Sequence, residues 1–352
     1  MSNILTISRI RSRQTCARKH HYEYVEGWRP VQDAEYFVVG RAFHAGLEAW
    51  WDVVGGGKLD PLEAALAQVR GLAIDPDPFR LVVVEEMLRA YDRRWRPSAG
   101  RYVLLANEQS FTAPLINPAT QAASRTWLLG GVVDKIVRDT ETGRVLIVEH
   151  KTTSEPIEDL AHPYWAKLGM DAQISQYFIG ATALGHEVDG CLYDVAKKPA
   201  QRPGQVAVVD DGAKVVLGPD GQRVRTADGK KWRETGDSAK GYVLQTRPET
   251  PDEFRERVRA ALEANIDRFL QRRDVARLET QLADHLHDVW SMGRQMADDE
   301  RAGRAPRNPQ ACHAYGTCPF WLVCSTSSDP SDHAGVYVRV EDVHPELRVV
   351  QR

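Results

Sequence analysis

The chain has 352 residues, 42% hydrophobic and 27% charged, with a formal net charge of −3. That is material for one large domain or two ordinary ones, and nothing in the overall charge announces a nucleic-acid partner. Five cysteines are too few for a disulfide scaffold at this length. No apolar run approaches the roughly 18 residues of a membrane span. The opening "MSNILTISRIRSRQ" lacks the features of a secretion signal, which predicts a cytoplasmic protein with no membrane partner.

Residues 6–25 have helical spacing of apolar and aromatic side chains, with Cys16 in their middle. Within them lie five basic residues, Arg9, Arg11, Arg13, Arg18 and Lys19, two histidines and no acid before Glu23. "FVVGRAFHAGLEAWWDVV" reads as a second helix, carrying His44, Leu47, Trp50 and Trp51. "PLEAALAQVRGLA" and "PFRLVVVEEMLRAYDRRWRP" follow as amphipathic helices, punctuated by Pro76, Pro78 and Pro97.

From Tyr102 the texture changes. "YVLLANEQSFTAPL", "RTWLLGGVVDKIVRD" and "GRVLIVEHKTT" are rich in Val, Leu and Ile, and "DTETGR" reads as the hairpin connection between the last two. A helix, "YWAKLGMDAQISQYFIGATALG", and a strand, "GCLYDVAKKP", come next. Residues 200–245 are rich in Gly, Asp and Lys, with short β-like pieces, and read as an inserted excursion. Residues 197–233 carry nine Lys or Arg, Lys197 and Lys198 among them, against four Asp. Such stretches suit a phosphate backbone and equally a solvated basic face. Long helices resume at "PDEFRERVRAALEANIDRFLQRR" and near residues 281–301, before a cysteine-rich turn and a tail. The fold class is α/β, with a sheet of about three to five strands.

The chemistry concentrates where "GRVLIVEHKTTS" ends its apolar run on Glu149, His150 and Lys151. Both flanking charges are costly to desolvate unless something compensates them. Strand alternation projects Glu149 and Lys151 together and His150 the other way. The preceding strand holds Asp134 in an apolar run, and pairing through "DTETGR" sets it opposite Glu149. Two carboxylates brought close repel, and a divalent cation with oxygen ligands relieves them. An isolated E-x-K is more often a surface salt bridge, so other features must decide. "QISQY" puts Gln173 and Tyr177 one helical turn apart, and "GRAFH" places His44 on a helix ahead of the sheet.

Together and in this order, Gly40…His44, Asp134, Glu149-His150-Lys151 and Gln173…Tyr177 resemble the RecB-like branch of the PD-(D/E)XK nuclease superfamily. The resemblance implies a restriction-endonuclease-like core, a central mixed sheet flanked by helices. It implies that Asp134 and Glu149 bind Mg²⁺ or Mn²⁺ with help from His44. Lys151 would assist catalysis, and Gln173 and Tyr177 would support it.

Cys16 stands near the N-terminus, and Cys312, Cys318 and Cys324 cluster in "CHAYGTCPFWLVC". Cys191, in a strand, reads as a small buried hydrophobe. Four soft thiolates suit an iron–sulfur cluster or zinc. One subset of RecB-like nucleases, which includes CRISPR adaptation nucleases and the AddB nuclease domain, holds a [4Fe–4S] cluster with one N-terminal and three C-terminal cysteines. The similarity implies such a cluster here, joining the N- and C-terminal helical segments. The spacing departs from the group's usual C-x2-C-x5-C, because this chain has C-x5-C-x5-C. His313 in place of Cys312, or zinc in place of the cluster, stays open at this point.

The expectation is one composite domain over residues 1–325, with its core at about 100–198 and helical parts at 1–98 and 245–325. An insert at 199–245 and a tail at 326–352 complete it. The expected activity is Mg²⁺- or Mn²⁺-dependent hydrolysis of DNA phosphodiesters, by an exonuclease acting on single strands or resected ends. Recombination, repair or phage DNA processing is the expected setting, with a recombinase, annealing protein or helicase as partner. The alternatives are a structure-specific or restriction-like endonuclease with a zinc site, and a catalytically silent DNA-binding module. Arg9, Arg11, Arg13, Arg18, Lys19, Lys197 and Lys198 are the expected contacts to DNA.

Overall fold

A computed structural model of the chain describes residues 3–31, 36–54, 56, 59–72, 77–303, 305–314 and 316–347. The expected break at Pro76 and the end of the tail, residues 348–352, lie outside the described residues. Six strands form one mixed sheet: β1 (Ile4–Leu5), β2 (Tyr102–Ile116), β3 (Ala123–Asp139), β4 (Val145–Thr153), β5 (Gly190–Lys197) and β6 (Leu270–Val275). β3 is the hub. β2 pairs with it antiparallel and β1 parallel, while β4 returns antiparallel along its C-terminal end. β5 then lies parallel to β4, and β6 closes antiparallel on β5.

The "DTETGR" hairpin forms as the sequence predicts. Gly143 takes the left-handed backbone the turn requires, at φ +75°. The Asp139 carboxylate accepts the Glu141 N–H at 3.0 Å and the Thr142 hydroxyl at 2.7 Å. Parallel pairing explains the unbroken apolar texture of β4 and β5. Leu146, Ile147 and Val148 are covered on both faces of the sheet, and β5 is buried from Gly190 through Ala196.

Helices α2 (Tyr36–Val54), α3 (Pro61–Gly71), α4 (Pro78–Ala99) and α6 (Pro251–Ala264) pack on one face of the sheet, around Leu47, Trp50, Trp51, Tyr91 and Phe254. Helix α5 (Ala172–Ala183) covers the other face around Ile147, Ile174 and Tyr177. Helices α1 (Ile7–Thr15) and α7 (Glu279–Arg301) add a third cluster with Leu5, Trp127, Val289 and Met296. Prolines open α3, α4 and α6 at their first position, behind Asp60, Asp77 and Thr250 caps whose side chains accept backbone N–H groups.

Several expected elements are corrected. The single helix over residues 6–25 breaks at Cys16, which has extended backbone (φ −163°) between α1 and the short Ala17–His20 helix. Pro97 does not end α4, which runs through it to Ala99. The expected helix from Tyr164 is interrupted at Asp171, whose side chain caps α5. The helix expected to continue through residue 273 stops at Ala264, and its last part becomes β6. β6 was hidden because Arg272 faces the interior, where an apolar residue would have marked a strand. With β1 it raises the sheet to six strands, more than expected. In the 199–245 region the strands are two-stranded pairs, none of which joins the main sheet.

Candidate active site and cysteine cavity

At its C-terminal end β4 leaves the core on Glu149, His150 and Lys151. Ile147 sits in the cluster under α5 and Val148 in the cluster under α2 and α4, so alternation divides the next residues the same way. Glu149 and Lys151 meet α5. His150 faces the opposite side, against the rings of Trp51 and Tyr91.

Glu149 is fully buried, and its Oε1 is ion-paired with Lys151 Nζ. The same oxygen accepts from Gln173 Nε2 at 2.9 Å, and Gln173 Nε2 also donates to the Tyr177 hydroxyl at 2.9 Å. The Gln173 amide oxygen accepts from Lys151 Nζ at 3.0 Å. The cap sets this geometry: Asp171 accepts the Gln173 N–H at 2.8 Å and starts α5 where Gln173 projects at the strand end.

The β3–β4 ladder runs to Lys135↔Val148 and stops. One step further, Asp134 and Glu149 would be directly opposed. Asp134 instead accepts the His150 N–H at 3.1 Å. On α2, the His44 ring lies 6.3 Å from the His150 ring, centroid to centroid. Gly40 lets α2 approach this end of β4, because a Cβ there would come within 3.0 Å of the Thr152 hydroxyl.

Burial and the Asp134 charge push the Glu149 carboxyl up to about 8. Burial also acts against an ionised Asp134, but His44, Lys135 and Lys151 outweigh it and hold Asp134 below the ordinary carboxylate value. Burial lowers Lys151 less than Glu149 and Asp134 raise it, so its ammonium is stabilised. Burial takes His44 down to about 4, which leaves a neutral imidazole able to act as a ligand. Burial, then the Glu149 and Asp134 charges, keeps the Tyr177 hydroxyl protonated, with its pKa far above the ordinary phenol value.

Sequence reasoning missed Glu108. The register Asn107↔Lys135 and Gln109↔Val133 sets it across from Asp134, with a left-handed backbone at φ +46°. Burial and the Asp134 charge push its carboxyl up to about 8 as well. The polar run "NEQS" inside an apolar strand was the available signal.

Among the described residues, no three His, Cys, Asp or Glu side chains gather closely enough to grip a metal ion. The donors nonetheless fit a hard divalent cation. Glu149 Oε2 is buried with no hydrogen-bond partner, and the Asp134 charge raises both Glu149 and Glu108, a repulsion that a cation would relieve.

At the other end of α1, Cys16, Cys312, Cys318 and Cys324 all line one cavity of about 1350 Å³. The extended backbone at Cys16 interrupts the helix there, and its Sγ accepts the Asn308 N–H at 3.4 Å. Cys318 N–H donates to Cys312 O at 2.7 Å, which ties the displaced cysteine to the motif. Burial raises the Cys318 and Cys324 thiols, and the other cysteines add to it. Four cysteine sulfurs lining one cavity fit a soft metal centre that carries compensating positive charge. His313 packs on Trp321, with ring centroids 4.8 Å apart. Cys191 is fully buried in β5, away from this group.

The expected basic contacts divide. Arg9 is buried, donates to His20 Nε2 at 3.1 Å and stacks on Trp127, which removes it from any surface a phosphate could reach. Arg13 pairs with Asp299, and Arg18 donates to Ala305 O at 2.7 Å. Lys197 pairs with Glu158 at 3.6 Å. Lys19 and Lys198 line the cysteine cavity, and Arg11 reaches the Gln173 amide beside Glu149 and Lys151. Among the described residues no helix is long and apolar enough to cross a membrane.

Against known proteins, the family model of the PD-(D/E)XK nuclease superfamily matches residues 4–325. A search of curated proteins finds no match.

Proposed function

The chain belongs to the PD-(D/E)XK nuclease superfamily, and from that premise we propose a Mg²⁺- or Mn²⁺-dependent DNA nuclease that hydrolyses phosphodiester bonds. Its preferred substrates are single strands or resected ends, in recombination, repair or phage DNA processing. The observation that carries the reading is Glu149. It is buried beside Asp134, holds Lys151 through one oxygen and leaves the other without a partner.

In this reading Asp134 and Glu149 would hold the ion, with His44 as a neutral nitrogen donor and Glu108 as a third carboxylate. When bound, the ion polarises the phosphodiester and lowers the pKa of a water. Lys151 meets the negative charge that builds on the phosphate as water adds to phosphorus and the P–O bond to the leaving oxygen breaks. Gln173 keeps Lys151 and Glu149 in register by bonding both. Tyr177, protonated and buried, holds the Gln173 amide from behind. Cys16, Cys312, Cys318 and Cys324 would hold a structural [4Fe–4S] cluster that ties the two ends of the chain together, a reading supported by their convergence on one cavity.

The test is Lys151→Ala assayed on end-labelled single-stranded DNA with Mg²⁺. We expect degradation to fall by about 10²–10³-fold, the usual loss of a charge-stabilising group, with DNA binding retained. Wild-type protein that cleaves no form of DNA with Mg²⁺ or Mn²⁺ would overturn the proposal.

A further inference from the structure

Arg11 differs from its basic neighbours on α1. Arg9 is turned into the core and Arg13 is paired with Asp299, whereas the Arg11 side chain is 52% exposed and reaches across to the start of α5. Its Nη1 donates to Gln173 Oε1 at 3.3 Å, and its Nη2 to Asp171 Oδ1 at 3.4 Å. One guanidinium thus bridges the cap of α5 and the amide that touches both Glu149 and Lys151.

We infer that Arg11 is a positioning residue for the catalytic edge: its fork on Asp171 and Gln173 holds the Gln173 amide with its oxygen toward Lys151 and its nitrogen toward Glu149. The inference rests on reading that edge as the nuclease site. A glutamine amide has two lone pairs and two N–H groups to satisfy. Here the oxygen takes Lys151 and Arg11, and the nitrogen gives to Glu149 and Tyr177. Lys151 has a second task at the phosphate. When its ammonium turns to substrate, Arg11 is the cation that stays on the amide oxygen. Without it, only the two bonds given by the amide nitrogen, to Glu149 and Tyr177, orient a torsion that is otherwise broad and two-fold.

The fork comes from a fixed platform. Asn308 Nδ2 donates to the Thr15 carbonyl at 2.9 Å at the end of α1, while Arg9 and Arg13 pin its other sides. A lysine cannot replace the fork, because an ammonium is a point charge and cannot span a carboxylate and an amide in one plane. Exposed contacts of this length add little to folding stability. Positioning and folding are therefore separable by experiment.

The experiment compares full-length wild type with Arg11→Ala, Arg11→Lys, Gln173→Ala, Lys151→Ala and the Arg11→Ala/Gln173→Ala double variant. Cleavage of labelled single-stranded DNA is measured with Mn²⁺, together with melting temperature. In Arg11→Ala, kcat should fall by roughly 10- to 100-fold, the scale of a small misplacement of a catalytic group, with KM and melting temperature nearly unchanged. Arg11→Lys should not restore the rate. The double variant should be no slower than Gln173→Ala, as expected of residues acting through one another. Independently of activity, the Gln173 side-chain amide resonances should lose exchange protection in Arg11→Ala. A raised KM with intact kcat, full rescue by lysine, or multiplying losses in the double variant would each overturn the inference, as would an unchanged Gln173 amide. If Lys151→Ala cleaves like wild type, the nuclease reading itself fails. If Lys151→Ala is inactive and Arg11→Ala is not impaired, only the role of Arg11 falls.

Discussion

Asp194→Ala tests whether the polar network behind β4 is structural. Asp194 lies on β5, level with His150 in the ladder, and is 2% exposed. Its Oδ2 accepts from the Tyr91 hydroxyl and from Arg272 Nη2, each at 2.7 Å, and His150 Nδ1 stands 3.5 Å away. Arg272 is itself shielded and stacks on Trp95 at 4.0 Å from the ring centroid. Alanine would leave the guanidinium inside without its counter-charge. Removing one partner of a buried ion pair costs about 3–5 kcal/mol. At about 2.1 cal/mol/K per residue, the 352-residue chain has a melting entropy of about 0.7 kcal/mol/K, so the melting temperature should drop by about 4–7 °C.

The assay is thermal unfolding followed by circular dichroism at pH 7.5, with cleavage measured per folded molecule. Cleavage should stay close to wild type, since Asp194 and His150 face away from Glu149. Pairing Asp194→Leu with Arg272→Met should recover most of the loss, because neither charge then remains to be desolvated. A drop under about 1 °C, well below the expected ~4–7 °C, would refute the assignment of Asp194 as the counter-charge.

Two further predictions follow from other parts of the molecule. Burial takes His285 on α7 down to about 4, with Asp288 and Asp171 acting against the shift and Arg277 for it. The unfolded chain protonates near 6.5 and the folded one near 4, so this group removes stability as pH falls through that window, by about 1.4 kcal/mol per pH unit. Glu108 and Glu149, both raised, push the whole protein the other way, so the difference from His285→Leu is the quantity to follow. That variant should gain about 1.6 kcal/mol on wild type between pH 6.5 and 5 in denaturant titrations, and a constant difference would count against a buried neutral imidazole. At the cysteine cavity, Cys324→Ala should lose iron and sulfide in protein purified without oxygen and should melt lower, with Glu149 and Lys151 untouched. An unchanged melting temperature would sink the idea that the cysteines clip the two ends of the chain.

The order of the motifs was legible because their spacing is local. Gly40 and His44 share a helix turn, Glu149 and Lys151 share a strand face, and Gln173 and Tyr177 share another turn. Each follows from backbone periodicity alone. The apolar run of β4, buried by parallel pairing, announced a strand that carries charges to the sheet's end. His150 was rightly set apart from Glu149 and Lys151, since alternation leaves no choice of face.

What sequence could not supply were contacts between residues far apart in the chain. Glu108 joined the site only through the β2–β3 register, and β6 stayed hidden because its inward Arg272 is balanced by Asp194 on another strand. The basic run on α1 looked uniform. Tertiary packing sorted it, burying Arg9 against Trp127, tying Arg13 to Asp299 and leaving Arg11 on the Gln173 amide. Charge on a helix is a property of composition, but which charge meets a phosphate, a carboxylate or the core depends on what packs beside it. Periodicity placed the candidate site residues on their elements, and only the assembled sheet brought those elements to one edge.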